Sequence, residues 1–467
     1  MAERLELRGA ISNYIQENKY VMLQGLPAVG KTTFAYETGI KIFYECVLIN
    51  CESDTEKIKA LMNVNPAEPD ILYKLMDYDE NDVTVTNPEE DPLNRAVFLF
   101  DNIDRCPEVP DQILDILFKT NANVFLTYTV NSPVVRRAKE KIALHLGVKA
   151  LDNGKTAGSY PFNFTLWPYT FRDYVEEFGN SDVIAPTITH SVNKLSKIPK
   201  IIYENASIIF DEYIYWGGFP GCINNYLYSD LEMDIIIAQQ PNIHLFYYVF
   251  DMLLERGEAD LRIRSQCRAI IDAIIRQMLS GDGYPRFSLA EIRDGATMQY
   301  YNDAFNFLTE NNVLISLERF DNDSGIPTFY FCDCGMLYNL LLHAKKKYCK
   351  EENADALIKY MSLRNYVVQE AARTGRDLYF WKSRYMSNVD LLVKVDDKLT
   401  AFKVLEASNK KCRTPESFTE LYPDIPLYLV TDANIYKRQF CYNIPYYAVY
   451  DMLHKKKKEK NAESKKQ

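Results

Sequence analysis

Residues 25–33 read Gly25-Leu26-Pro27-Ala28-Val29-Gly30-Lys31-Thr32-Thr33: a glycine, four residues, Gly-Lys, then a hydroxyl residue. That spacing suits phosphate chemistry. Glycines let a backbone turn tightly and present its N–H groups to an anion at the start of a helix. A lysine at this position reaches the β- and γ-phosphates of a nucleoside triphosphate, and the next hydroxyl ligates Mg²⁺. ATP and Mg²⁺ are therefore the expected cofactors. Residues 25–33 are expected to hold the nucleotide, Lys31 to act on its phosphates, and Thr32 to bind the metal.

A second stretch supplies the complementary acid. AVFLFD, residues 96–101, is an apolar run ended by Asp101, the Walker B arrangement, whose carboxylate is expected to hold Mg²⁺ opposite Thr32. The next residue is Asn102, where an ATPase usually carries a glutamate to polarise the attacking water. An amide cannot take that proton, so turnover is expected to be slow unless Asp104 or a partner substitutes. Asp104 can equally cap the helix that follows. Thr127 and Thr129 end the run VFLTYT. Either hydroxyl could face the terminal phosphate, although threonine also suits a strand for packing reasons. Arg136 and Arg137 offer an arginine finger, in cis or from a neighbouring subunit, or simply a solvated helix face.

These residues need rigid elements to hold them. Residues 20–23 read as a buried strand and 32–43 as a helix, which places the loop between the two. Further strands are expected at 46–50, 96–100 and 123–127, with helices near 2–16, 56–61, 70–76 and 110–119 and an exposed acidic loop at 77–92. Strands alternating with helices predict a doubly wound parallel sheet with its ligands at the strands' carboxyl ends. Residues 162–171 form an aromatic strand and turn, and 181–203 an inserted loop or helical hairpin. YWGGFPG, residues 215–221, marks a corner between helices. From residue 260 the pattern changes to three helices (263–279, 288–294, 297–311) and a β-hairpin (313–319 with 328–332), the order of a winged helix. Its third helix holds no Lys or Arg, which favours protein packing over DNA reading. Residues 363–372 are expected to be helical, with strands at 378–382, 389–395, 400–405 and 427–431.

Bulk properties set the limits. A chain of 467 residues is expected to fold as several domains. Formal charge is −10, but residues 454–467 carry seven Lys and two Glu, so the body stands at −15. An acidic body argues against nonspecific coating of nucleic acid. The lysine-rich end reads as a solvated tail, and Lys345–Lys347 as a linker or a helix end. No run is long and apolar enough to span a membrane, and residues 1–8 do not form a signal peptide. Ten scattered cysteines without paired spacing predict free thiols in a reducing cytosol and no zinc site.

Taken together, GLPAVGKTT, VFLFDNID, LTYT, FNFTLWPYTFRDYV, YWGGFPG, TFYFCDCGML, RNYVVQEA and LYFWKSRYMSNVDLLVK resemble a family of prokaryotic AAA-type P-loop ATPases. The resemblance implies a P-loop domain, then a winged helix and a C-terminal PD-(D/E)XK nuclease-like fold. Mapped here, that gives a P-loop unit at 1–178, a helical linker or lid at 179–258, a winged helix at 259–345, a nuclease-like α/β unit at 346–453 and the tail at 454–467. Three positions depart from the pattern. Asn102 replaces the family's glutamate, and Gly158-Ser159 replaces a Gly-Arg pair. In the nuclease-like core, Glu370, Asp390 and Lys403 fit, but Ala401 stands where a metal-binding carboxylate belongs. The expected function is an ATP-binding slow ATPase or nucleotide switch acting through its C-terminal half on a macromolecular partner, a protein first and a nucleic acid second. An ATP-gated nuclease and a non-hydrolysing scaffold are the alternatives, and a homo-oligomer is left open.

Overall fold

The computed structural model describes residues 2–63, 70–76, 92–149, 160–178, 181–228, 235–280, 287–321, 326–349, 354–383, 387–405 and 414–455. The expected acidic loop, Ser159 and the lysine-rich tail fall outside them, apart from Pro92 at the loop's end and His454 and Lys455 at the tail's start.

The chain opens with α1 (Ala2–Asn18), β1 (Tyr20–Gly25), α2 (Lys31–Ile42) and β2 (Glu45–Asn50). Three short helices follow, α3 (Thr55–Met62), α4 (Asp70–Leu75) and α5 (Pro92–Arg95), and lead to β3 (Ala96–Asp101). After α6 (Leu114–Thr120), β4 (Asn123–Tyr128) and α7 (Pro133–Leu146) comes β5 (Asn163–Leu166). These five strands form one sheet in the order β2-β3-β4-β1-β5, and every pairing in it is parallel. Strands β1, β3 and β4 are buried along their whole length, which is why they read as unbroken apolar runs. Alternate side chains feed two cores: Tyr20 and Met22 enter one, Val21 and Leu23 the other. Ser132 caps α7, Pro133 opens it, and Gly147, at φ 65°, closes it.

Strand order decides where the site forms. The chain leaves β1 for β2 on one side and later returns to place β5 on the other, so the order reverses at β1. Strand β4 lies between β1 and β3, which sets Thr127 between the glycine loop and Asp101.

The helical stretch is α8 (Phe171–Phe178), α9 (Ser181–Lys194), α10 (Lys200–Trp216), α11 (Pro220–Tyr228) and α12 (Ile235–Arg256). Residues 181–203 are thus a helix and the start of the next. Helices α13 (Leu261–Ser280) and α14 (Met298–Glu310) and the antiparallel hairpin β6 (Leu314–Arg319) and β7 (Thr328–Phe331) match the expected order. The expected helix at 288–294 does not form; one 3₁₀ turn, Leu289–Glu291, replaces it. Gln277 explains the difference. Its side chain accepts from Ser288 N at 2.8 Å and donates to Ser288 O at 3.2 Å, holding that residue extended.

Helix α15 (Cys334–Tyr348) absorbs Lys345–Lys347 into its last turn, where cations favour the helix dipole. Next come α16 (Ala354–Ala372), β8 (Leu378–Lys382), β9 (Asn388–Val395), β10 (Lys398–Val404), α17 (Thr414–Leu421), β11 (Leu427–Thr431), β12 (Tyr436–Lys437), β13 (Tyr442–Pro445) and α18 (Val449–Leu453). Glu318 and Arg319 of β6 pair in parallel with Tyr379 and Phe380 of β8. The hairpin therefore extends the C-terminal strands into one eight-stranded sheet, β12-β13-β11-β10-β9-β8-β6-β7. No described helix is long and apolar enough to cross a membrane, and the nine described cysteines are all free.

Candidate phosphate-binding site

Gly25 ends β1 because nothing larger fits. A Cβ there would lie 2.9 Å from Val29 Cγ1 and 3.0 Å from Leu166 O. The loop then turns with φ 62° at Ala28 and 87° at Gly30, left-handed values that glycine adopts freely and alanine rarely. Positive φ at a non-glycine residue is the kind of backbone strain that collects at ligand sites. Gly30 also precedes α2 with no side-chain cap, so the helix's first-turn N–H groups are not closed off by a side chain.

Behind the loop, three polar side chains converge on Asp101. The Thr32 hydroxyl donates to Asp101 Oδ2 at 2.8 Å, and Thr127 donates to Oδ1 at 2.5 Å. The Asn102 amide donates to Oδ2 at 3.0 Å, and Asn102 N donates to Thr127 Oγ1 at 3.2 Å. A hydroxyl and a carboxylate in contact are hard oxygen donors that suit Mg²⁺, whose remaining ligands are commonly water and phosphate oxygens. No group of three or more His, Cys, Asp or Glu residues suited to a metal exists among the described residues. Thr32 and Asp101 would thus hold the ion only together with bound phosphate. Thr127 orients Asp101 and the Asn102 backbone.

Lys31 is buried, and its Nζ donates to Leu26 O at 3.1 Å. Burial pulls its pKa down to about 8, against the opposing pull of Asp104 and Asp101. Asp104 does not cap the following helix. Its side chain is buried, with Oδ1 accepting from Thr129 N at 3.2 Å. Asn102 adopts φ 61°, which suits asparagine better than most side chains.

The residue that sequence reasoning missed is Arg256, the last of α12. It is only 7% exposed, yet it reaches Asn102 and Asp104. Its Nη1 donates to Asn102 Oδ1 at 2.9 Å and approaches Asp104 Oδ2 at 3.4 Å, and its Nη2 contacts Glu52 Oε1 at 2.7 Å. Its Nε is buried without a hydrogen-bond partner among the described residues. Arg136 and Arg137, by contrast, are exposed, and Arg137 pairs with Asp111 at 3.2 Å. Nothing local marked Arg256, because a lone cation at a helix end reads as a partner for the helix dipole.

On the outer side of the loop lies a cavity of about 290 Å³ lined by Arg4, Thr33, Phe34, Tyr169 and Pro220. The Arg4 guanidinium lies 3.8 Å over the Tyr169 ring and donates to Val29 O at 3.0 Å. The GGFPG corner builds this wall. Gly217 has φ 74°, and a Cβ on Gly218 would lie 2.0 Å from Tyr169 O. Asp333 fastens the corner from the C-terminal half, accepting from Gly218 N and from Met336 N at 2.8 Å each.

The C-terminal cluster is organised differently. Asp390 contacts Arg364 Nη2 at 2.5 Å and Lys403 Nζ at 3.1 Å, and it accepts from Val404 N at 2.8 Å. Burial alone would raise the Asp390 pKa, but Arg364 and Lys403 hold it below the usual range. Glu370 instead pairs with Arg373 at 3.0 Å, and burial pushes its pKa up to about 7. Asp390 and Lys403 are therefore brought together as expected, with Glu370 committed to another cation. Two buried cations already neutralise the carboxylate that a nuclease would give to a metal.

No family model matches the chain, and no curated protein matches it. Among solved structures it is similar to the Walker-type ATPase PABY2304 of Pyrococcus abyssi, at 12% identity and a TM-score of 0.39, over 73% of this chain and 95% of that one. At that score the likeness carries no functional inference, which rests on the geometry of the loop and Asp101.

Proposed function

We propose that this chain binds ATP with Mg²⁺ at residues 25–33 and Asp101 and works as a slow nucleotide switch. One observation carries the reading: the Thr32 hydroxyl and the Asp101 carboxylate meet at 2.8 Å beneath an uncapped helix start and a glycine turn. The bound ion would offset phosphate charge. Lys31 would leave Leu26 O for the phosphates. Thr127 keeps Asp101 aimed at the ion. The cavity beside Gly30, walled by Tyr169, Phe34 and Pro220, is placed to take the nucleoside end. Slow turnover follows from Asn102, whose amide is spent on Asp101 and Arg256 and has no basic atom to accept a proton. Asp104 and Glu52 are the other acids near the site. Arg256 is the cis cation best placed to exchange its carboxylate partners for a terminal phosphate.

The switch would be read by a protein partner through the C-terminal half. Equilibrium titration with ATP and Mg²⁺ tests the binding claim: Lys31→Ala should weaken ATP at least tenfold. Unchanged affinity in that variant ends the proposal. Phosphate release tests the second part, with Asn102→Glu expected to exceed the wild type. A wild type already turning over at ordinary ATPase rates would leave no slow switch.

A further inference from the structure

A second cavity, of about 440 Å³, lies between α10, α16 and the C-terminal sheet, and shares no lining residue with the phosphate site or the cavity beside it. Its size falls within the roughly 300–1,000 Å³ of small-ligand pockets. Thr431 ends β11 and Pro445 ends β13, and the two face each other in a parallel pairing. The cavity thus opens at the carboxyl ends of parallel strands, where open α/β sheets hold their ligands. Here the sheet is a mixed one, so the position rather than the whole fold supports the comparison.

The walls define what can enter. Phe210 from α10, Tyr360 from α16, and Tyr446 and Tyr447 after β13 line the space. Three hydroxyls are spent on backbone carbonyls: Tyr360 on Val404 O at 3.3 Å, Tyr446 on Leu405 O at 2.6 Å and Tyr447 on Tyr203 O at 3.4 Å. The rings therefore offer a ligand carbon faces and edges rather than donors. At the rim, Lys359 is matched by Asp211 at 2.8 Å, which leaves Asp432 as a carboxylate without a cationic partner among the described residues. Such a site repels phosphates and favours a flat, uncharged molecule that stacks on aromatic rings and donates hydrogen bonds to an acid. We infer that this cavity binds an uncharged nucleobase or nucleoside, separately from the phosphate loop.

The test uses the full chain, with adenosine and guanosine as probes, read by calorimetry and ligand-observed saturation-transfer NMR. Saturable binding of one of them is expected in wild type and in Lys31→Ala. Ala356→Trp, an exposed position on α16 that lines the cavity, should weaken it about tenfold, as should Tyr360→Leu, since one base–ring stack is worth roughly 1–3 kcal/mol. Thermal melts confirm that each variant is folded. The inference is overturned if the folded wild type binds neither nucleoside at millimolar concentration. It is equally overturned if binding survives both cavity variants, or if Lys31→Ala abolishes it and so places the probe at the phosphate loop.

Discussion

Lys31 is a buried ammonium turned back on a loop carbonyl, with a pKa near 8 set by burial against the pull of Asp104 and Asp101. A phosphate arriving at the loop would favour the charged form and raise that pKa. Near pH 8 the unliganded lysine is about half neutral, so ATP binding should draw up to about half a proton from solution. The uptake should fade toward pH 6, where the lysine is already charged. Calorimetry in buffers of different ionisation enthalpy measures it, and Lys31→Ala should abolish it. Arg256 makes a second residue-scale prediction. Charge-assisted hydrogen bonds contribute about 1.5–3 kcal/mol. Arg256→Ala should therefore cut the preference for ATP over ADP about tenfold, read as a ratio of Kd values. An unchanged ratio would show that Arg256 only pins Asn102.

At the level of elements, the strands were legible because burial on both faces leaves few alternatives to unbroken apolar runs such as Phe98-Leu99-Phe100. The loop was legible because Gly25 and Gly30 answer local steric demands. Arg256 was not, since its partners Glu52, Asn102 and Asp104 lie more than 150 residues away in the chain. The missing helix after residue 288 has a nearer cause: Gln277, in the preceding helix, competes for the Ser288 backbone. A long-range contact also joins β1 to α14. Gln24, just before the loop, donates to Glu310 O at 2.9 Å, and Asn131 N donates to Asn311 Oδ1 at 3.0 Å. If nucleotide binds at the loop as proposed, these bonds would give it a hydrogen-bonded route to α14. Gln24→Leu should leave ATP affinity within about threefold while removing the ATP-induced change in amide-hydrogen exchange at residues 307–312, given that one neutral hydrogen bond nets about 1 kcal/mol. Retention of that change would rule this route out.

Across the whole molecule, the largest of the three apolar clusters among the described residues spans both halves of the chain. It runs from Val21 and Leu23 through Phe210 and Tyr213 to Val368 and Phe402. Asp333 ties the GGFPG corner to α15, and Arg373 reaches toward Tyr169 O at 3.5 Å while pairing with Glu370. The wall beside the loop and the C-terminal half are thus in contact at both places. The shared eight-stranded sheet has a practical consequence for anyone dividing the chain. Cutting near residue 346 would strip β6 from β8 and bare a strand edge whose Leu378, Phe380 and Trp381 side chains are buried in the intact protein. Unpaired edges of this kind recruit other chains. A fragment starting at 346 should elute as aggregates in size-exclusion chromatography, whereas the intact chain, which keeps the hairpin on β8, should stay dispersed. For this protein, the seam suggested by the order of helices and strands is where scissors should not go.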